Sequence, residues 1–149
     1  MDINKHIIDQ RITKIIQDKT EWFSAINDEP KKKSIAFVLL AVSTYLSIEL
    51  TESFSLLTDG GGDAGIDAIY VGDISDIELP VTIFQGKYIN NLEKDANFPA
   101  NEIQKVINTI WTIFDIDKDI KSLNTNLRSQ IQEIRSLISD GFIPVVKVI

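Results

Sequence analysis

Apolar residues recur at helical spacing through the first part of the chain, at Ile3, Ile7, Ile8, Ile12, Ile15, Ile16, Trp22, Phe23 and Ile26, with charged residues filling the gaps. This pattern predicts one amphipathic helix over residues 3 to 27, up to seven turns long. Asn27-Asp28-Glu29-Pro30 ends it, and Lys31-Lys32-Lys33 leads into a second helix over residues 34 to 46. That helix is apolar on nearly every side and is therefore expected to be buried. A short third helix is expected over residues 50 to 57, capped by Ser47 or Thr51.

The pattern then changes to that of strands. Residues 65 to 71 (GIDAIYV) and 81 to 88 (VTIFQGKY, opened by Pro80) are apolar on both faces, as in strands covered on two sides. Between them lies an acidic turn of hairpin length. Ile103, Val106, Ile107, Ile110, Trp111 and Phe114 describe another amphipathic helix, and Leu123, Leu127, Ile131, Ile134, Leu137 and Ile138 describe one more. Asp140-Gly141 stops the last helix, and FIPVVKVI at residues 142 to 149 reads as a buried strand. The expected class is α/β in the α+β sense: helix, strands, helix, strand. One domain is expected over residues 1 to 149, with a helical extension at 1 to 33 and a core at 34 to 149. Ending on a strand points to a piece of a longer chain.

Composition removes several chemistries. The longest apolar run, residues 35 to 42, is far short of a membrane span. The first residues lack the basic start, apolar stretch and cleavage site of a signal peptide, so the cytoplasm is the expected compartment. With no cysteine and a single histidine, His6, the chain cannot build a Cys/His zinc site or a Cys-His pair. Carboxylates, amides and lysines must carry any catalysis. The net charge of −7 speaks against nucleic-acid binding by bulk electrostatics. Residues 34 to 100 hold only Lys87 and Lys94 against ten acids, which fits either a solvated acidic face or a cation site.

The chemistry concentrates between Thr58 and Lys87. The segment TDGGGDAGID, residues 58 to 67, carries three acids and four glycines, and Gln85-Gly86-Lys87 follows. Its GxGxxG pattern lacks the strand before it and the helix after it that a dinucleotide fold requires. Its acids are spaced by four rather than alternating, unlike a calcium loop. A glycine-rich turn using positive φ stays open as an alternative. If the two strands form an antiparallel hairpin centred near Asp76, residue 67 lies opposite residue 85. On a strand, Gln85 and Lys87 share a face, so Asp67, Gln85 and Lys87 converge, while a one-residue slip would send Asp67 to the other face. Asp67, the Gln85 side chain and the Gly86 carbonyl would then offer hard oxygen ligands to Mg²⁺ or Mn²⁺. Lys87 would orient a water or offset charge developing on a phosphate. Asp63 is a candidate helper.

Gly-Ile-Asp, a strand and Gln-x-Lys resemble the PD-(D/E)XK nuclease superfamily in its Mrr-like variant, where glutamine replaces the usual second acid. More narrowly, TDGGGDAGIDAIYV followed by IFQGKY resembles the N-terminal region of AIPR-type abortive-infection phage-resistance proteins. The resemblance implies a restriction-endonuclease-like core of helix, three strands, helix and strand, preceded here by an extra helix. It implies DNA as substrate, a magnesium ion as cofactor, Asp67 as metal ligand, Gln85 as the second motif position and Lys87 as the catalytic lysine. It also places a first core strand near residues 54 to 58, where the periodicity reads a short helix. Relatives carry a glutamate on the first core helix, but this chain has Val38 and no acid from residue 34 to 48. That ligand is absent or comes from Glu49, Glu52 or Asp63, so a catalytically inactive module of the same fold, binding nucleic acid or protein, is the alternative. A homodimer and further domains of a longer parent chain are the expected partners, and no membrane is.

Overall fold

The computed structural model describes residues 2–58, 65–93 and 97–149, and the chain parts into two compact units. One comprises Met1–Ser55 and Gly86–Phe98, the other Leu56–Gln85 and Pro99–Ile149.

The first unit is helical. Helix α1 (Ile3–Asp18) starts at Asp2, whose carboxylate accepts the Asn4 N–H at 3.0 Å. The single helix expected over residues 3 to 27 is broken at Lys19, which leaves helical geometry with φ −122 and ψ 45. A four-residue α2 (Thr20–Phe23) follows. The break lets Phe23 be buried while Trp22 stacks on Phe54 with ring centroids 4.4 Å apart. Helix α3 (Glu29–Leu46) begins five residues earlier than expected. Asp28 caps it and Pro30 sits in its first turn, where a missing N–H costs no helical hydrogen bond. Pro30 thus starts a helix rather than only ending one. Ala36, Val38, Leu39 and Val42 are its buried residues, and α3 packs on α1, whose Ile12 and Ile15 are buried. Ser47, with φ 55, closes α3 in the left-handed region and does not cap α4 (Leu50–Ser55). The α4 start is served by Glu52, whose carboxylate accepts the Glu49 N–H at 3.1 Å.

The second unit is a three-stranded mixed sheet with two helices, and with the first unit's helices it makes the chain α+β as expected. Strands β1 (Ala68–Val71) and β2 (Glu78–Phe84) pair antiparallel, and β3 (Ile143–Val148) pairs parallel to β2 on its other side. Helices α5 (Ala100–Phe114) and α6 (Thr125–Ser139) lie between β2 and β3 in the chain. Ile69, Leu79, Val81 and Ile83 of the sheet form one core with Val106 and Ile113 of α5 and Leu127, Ile131 and Ile134 of α6. Arg135 ties α6 to the end of α5 by donating to the Thr112 and Ile113 carbonyls at 2.5 and 3.1 Å.

Strand β2 starts three residues before and ends four residues before the expected bounds. Pro80 is inside it, although β2 is the central strand. The Pro80 carbonyl accepts the Gly72 N–H at 2.9 Å, so the proline presents its missing donor to the turn side, beyond the end of β1. The final strand forms as read but is not buried: it is an edge strand, with Ile143 53% exposed and Val148 48% exposed. Pro144 and Lys147 on it are residues that discourage further strand addition.

Asn124 links the sheet to α6. Its Oδ1 accepts the Leu127 N–H at 2.9 Å, and its Nδ2 donates to the Thr58 carbonyl at 2.7 Å. Asn124→Ala is expected to lower unfolding stability by about 1–3 kcal/mol, combining a lost cap with an orphaned carbonyl. Urea unfolding of Asn124→Ala beside Asn124→Asp checks this, because the aspartate keeps the cap and loses only the donor.

Candidate functional site

The residues on either side of the glycine-rich segment are tied together by hydrogen bonds. Leu57 bridges Ala68 in antiparallel sense, the Thr58 N–H donates to the Asp67 carbonyl at 2.9 Å, and the Ile69 N–H donates to the Leu56 carbonyl at 3.2 Å. Thr58 Oγ1 also donates to the Ile66 carbonyl, and Asn126 Nδ2 donates to the Leu57 carbonyl at 2.5 Å. Residues 56–58 therefore do both things the sequence presented as a conflict: the helix stops at Ser55, and the next three residues begin a strand-like pairing. Gly65 returns the chain at φ 76, with Lys105 so near that an added Cβ would lie 3.0 Å from its Cβ. Asp63 and the glycines before it lie outside the described residues.

The hairpin register agrees with a centre at residue 76. Ala68 pairs with Phe84, Ile69 with Ile83, Tyr70 with Thr82 and Val71 with Val81. Asp76 itself takes the left-handed conformation at φ 55, as a tight turn there requires. At the open end the regular ladder stops. The Asp67 N–H donates to the Phe84 carbonyl at 2.9 Å, although Phe84 is already the partner of Ala68. Two residues face one, the arrangement of a β-bulge, which re-aims the side chain at the bulge. Asp67 and Gln85 thus occupy the same end of the β1–β2 hairpin, with Asp67 turned out of simple alternation.

Gln85 and Lys87 do not share a strand face, because β2 ends at Phe84. The Gln85 N–H donates to the Ile149 carbonyl at 3.1 Å. Its side-chain Oε1 is buried and has no hydrogen-bond partner among the described residues, a condition shared by His6 Nε2 and Gln130 Oε1. An unpaired buried acceptor costs about 1–3 kcal/mol, which a ligand of suitable charge would recover. The division between units runs through the Gln85–Gly86 bond, so Gly86 and Lys87 belong to the first unit.

There the chain is held against α3 and α1. A Cβ on Gly86 would lie 3.0 Å from Val38 Cγ2 and 3.4 Å from the Phe37 ring, so a side chain here would have to push those groups aside by a few tenths of an ångström. Lys87 is exposed. Tyr88 packs on Phe37 with ring centroids 5.9 Å apart and donates its hydroxyl to Asp9 Oδ1, which also accepts from Lys33 Nζ at 2.8 Å. The Lys33 bond, then the Tyr88 bond, holds the Asp9 carboxyl below its ordinary range. Burial, then the bond to ionised Asp9, raises the Tyr88 hydroxyl above its ordinary value. Of the three consecutive lysines, Lys32 and Lys33 are thus paired within the protein, Lys32 with Glu29 and Lys33 with Asp9.

Of the remaining candidate ligands, Glu52 has structural work, its carboxylate capping α4. The Glu49 backbone carbonyl accepts from the backbone N–H and the hydroxyl of Ser53. Among the described residues no three histidines or acids gather into a metal-holding group. Against family models, curated proteins and solved structures, the chain finds no match. Also among the described residues, no helix is long and apolar enough to cross a membrane.

Within the second unit, the Asp67 carboxylate and the buried Gln85 amide oxygen are hard oxygen donors of the kind Mg²⁺ or Mn²⁺ takes. A surface pocket of about 310 Å³ lies elsewhere in the second unit, lined by Ile110, Trp111, Phe114 and Asp115, and offers no comparable donor set. Sequence reading missed Asn124, Asn126, Asp9 and Tyr88. Asn124 carried a signal, an asparagine directly before an apolar helical run. The Asp9–Tyr88 bond spans 79 positions and left none.

Proposed function

We propose that the chain is a metal-dependent endonuclease domain that hydrolyses DNA phosphodiester bonds, of the PD-(D/E)XK type and acting in the cytoplasm in abortive-infection phage defence. The observation that carries this reading is the open end of the β1–β2 hairpin, where a bulge re-aims Asp67 and where Gln85 Oε1 is buried with no partner among the described residues. The element order departs from the expected core: among the described residues α3, α4, β1, β2, α5, α6 and β3 follow one another, two strands before the last two helices and one after, with an isolated bridge at Leu57 where the resemblance places a further strand.

Asp67 and the Gln85 side chain, both in the second unit, would hold Mg²⁺ or Mn²⁺. A bound divalent ion supplies charge to a phosphate oxygen and lowers the pKa of a bound water. The Asp67 carboxylate supplies the negative charge that selects a cation. Gln85 Oε1 adds a neutral donor, so the site stays less anionic than a two-carboxylate pair and repels a phosphate less. Lys87, exposed and charged, counters charge developing on the phosphate or directs the attacking water. A second copy of the chain and further domains of a longer parent would provide the second cut and the recognition surface.

The rival reading is a module of the same fold that binds DNA or protein and has no activity. It is favoured by the commitment of Glu52 to the α4 cap and by the absence of an acid on α3 after Glu29. Lys87→Ala separates the two. Loss of Mg²⁺-stimulated plasmid nicking with unchanged thermal unfolding is expected. Undiminished nicking in that variant removes Lys87 from the mechanism, and absence of both nicking and calorimetric Mn²⁺ binding in the parent protein favours the inactive module.

A further inference from the structure

We infer that Tyr88, held by Asp9 and Lys33, is a positioning residue that fixes the backbone from which Lys87 reaches its substrate, an inference that rests on the nuclease reading of Lys87. Residues 85 to 89 belong to no helix or strand, so no ladder orders the lysine. A lysine side chain has four rotatable carbons, and its ammonium is useful in a reaction only if its Cα is fixed.

The order comes from its two neighbours. Gly86 lies close against Val38 and Phe37 of α3. Tyr88 lies against Phe37 and bonds to Asp9 of α1. Gly86 is held against α3 and Tyr88 against α1 and α3, and Lys87 between them is exposed. The clasp is itself braced. Lys33 Nζ binds Asp9 Oδ1 at 2.8 Å and stands 5.9 Å from the centroid of the Tyr88 ring. Lys33 therefore neutralises the carboxylate that accepts the tyrosine hydroxyl, and approaches the ring that donates it. Helices α1 and α3 and the segment after β2 meet in one three-residue network that touches nothing of the reaction directly. Its effect on catalysis must pass through Lys87.

The test uses the full chain with Tyr88→Phe, which keeps the ring on Phe37 and removes only the hydroxyl. Amide hydrogen exchange at residues 86 to 91 is expected to rise about tenfold, the equivalent of one hydrogen bond. The cleavage rate at saturating DNA and Mg²⁺ is expected to fall about ten- to a hundredfold, with KM for DNA and Mn²⁺ affinity unchanged. Asp9→Asn, which removes the charge but keeps the shape, is expected to move both readouts the same way and serves if the phenylalanine variant does not fold. Unchanged exchange in both variants overturns the inference. So does faster exchange with an unaltered rate while Lys87→Ala is inactive. Full activity in Lys87→Ala overturns the nuclease reading of Lys87 instead, and the exchange measurement, which needs no activity, tells the two failures apart.

Discussion

Asp67→Asn is expected to reduce Mg²⁺-stimulated nicking of plasmid DNA by at least about a hundredfold while leaving the melting temperature nearly unchanged. The substitution is close to isosteric and removes one negative charge. The bulge depends on the Asp67 backbone, whose N–H bonds the Phe84 carbonyl and whose carbonyl accepts the Thr58 N–H, so the fold at this corner should persist. What changes is affinity for a divalent cation, because an amide oxygen holds Mg²⁺ far less well than a carboxylate. Raising the Mn²⁺ concentration should therefore recover part of the lost rate. A variant that nicks as fast as the parent at low Mg²⁺ would remove Asp67 from the metal site. A variant that is inactive and also melts early would show that the side chain serves the fold instead.

Ile131→Ala should have the largest effect on stability, about 2–5 kcal/mol. Ile131 is fully buried on α6, in the core shared by the sheet, α5 and α6. Truncation there removes buried methylene and methyl groups and leaves a cavity that several elements line. Trp111→Ala is the internal comparison. Trp111 is larger but 68% exposed on α5, and its removal should change stability by within about 0.5 kcal/mol. Chemical unfolding of the two variants should order them opposite to side-chain size. If the tryptophan variant is the less stable, that face of α5 is buried in the protein in solution.

Some of this structure was readable residue by residue. Helical spacing of apolar residues located α1, α3, α5 and α6, because each buries one stripe and that need is local to the helix. The hairpin centre at Asp76 was also readable, since two apolar runs joined by a short acidic turn have few ways to pair. From that centre came the register that brings residues 67 and 85 to one end. Element ends were less readable. Pro30 and Pro80 read as boundaries and proved to be inside α3 and β2, because the cost of a missing N–H depends on what faces it.

The candidate site divides in the same way. Asp67, Gln85 and Lys87 were visible as polar residues in apolar runs, a signal that composition and period alone can give. Their real surroundings were not. The bulge at Asp67 depends on the strand-like partner that residues 56–58 provide, and the end of β2 at Phe84 depends on where β3 and β1 stop. The break at Lys19 follows from Trp22 meeting Phe54, and the setting of Lys87 follows from Asp9 meeting Tyr88 across 79 positions. By itself, then, the sequence determined the α+β class, the long helices, the hairpin register and the residue types at the site, since each rests on periodicity or turn chemistry within a short window. Only the tertiary structure decided where the elements end, which way Asp67 is aimed and what holds the backbone of Lys87. Those depend on hydrogen bonds and packing between segments distant in the chain, which no local pattern encodes.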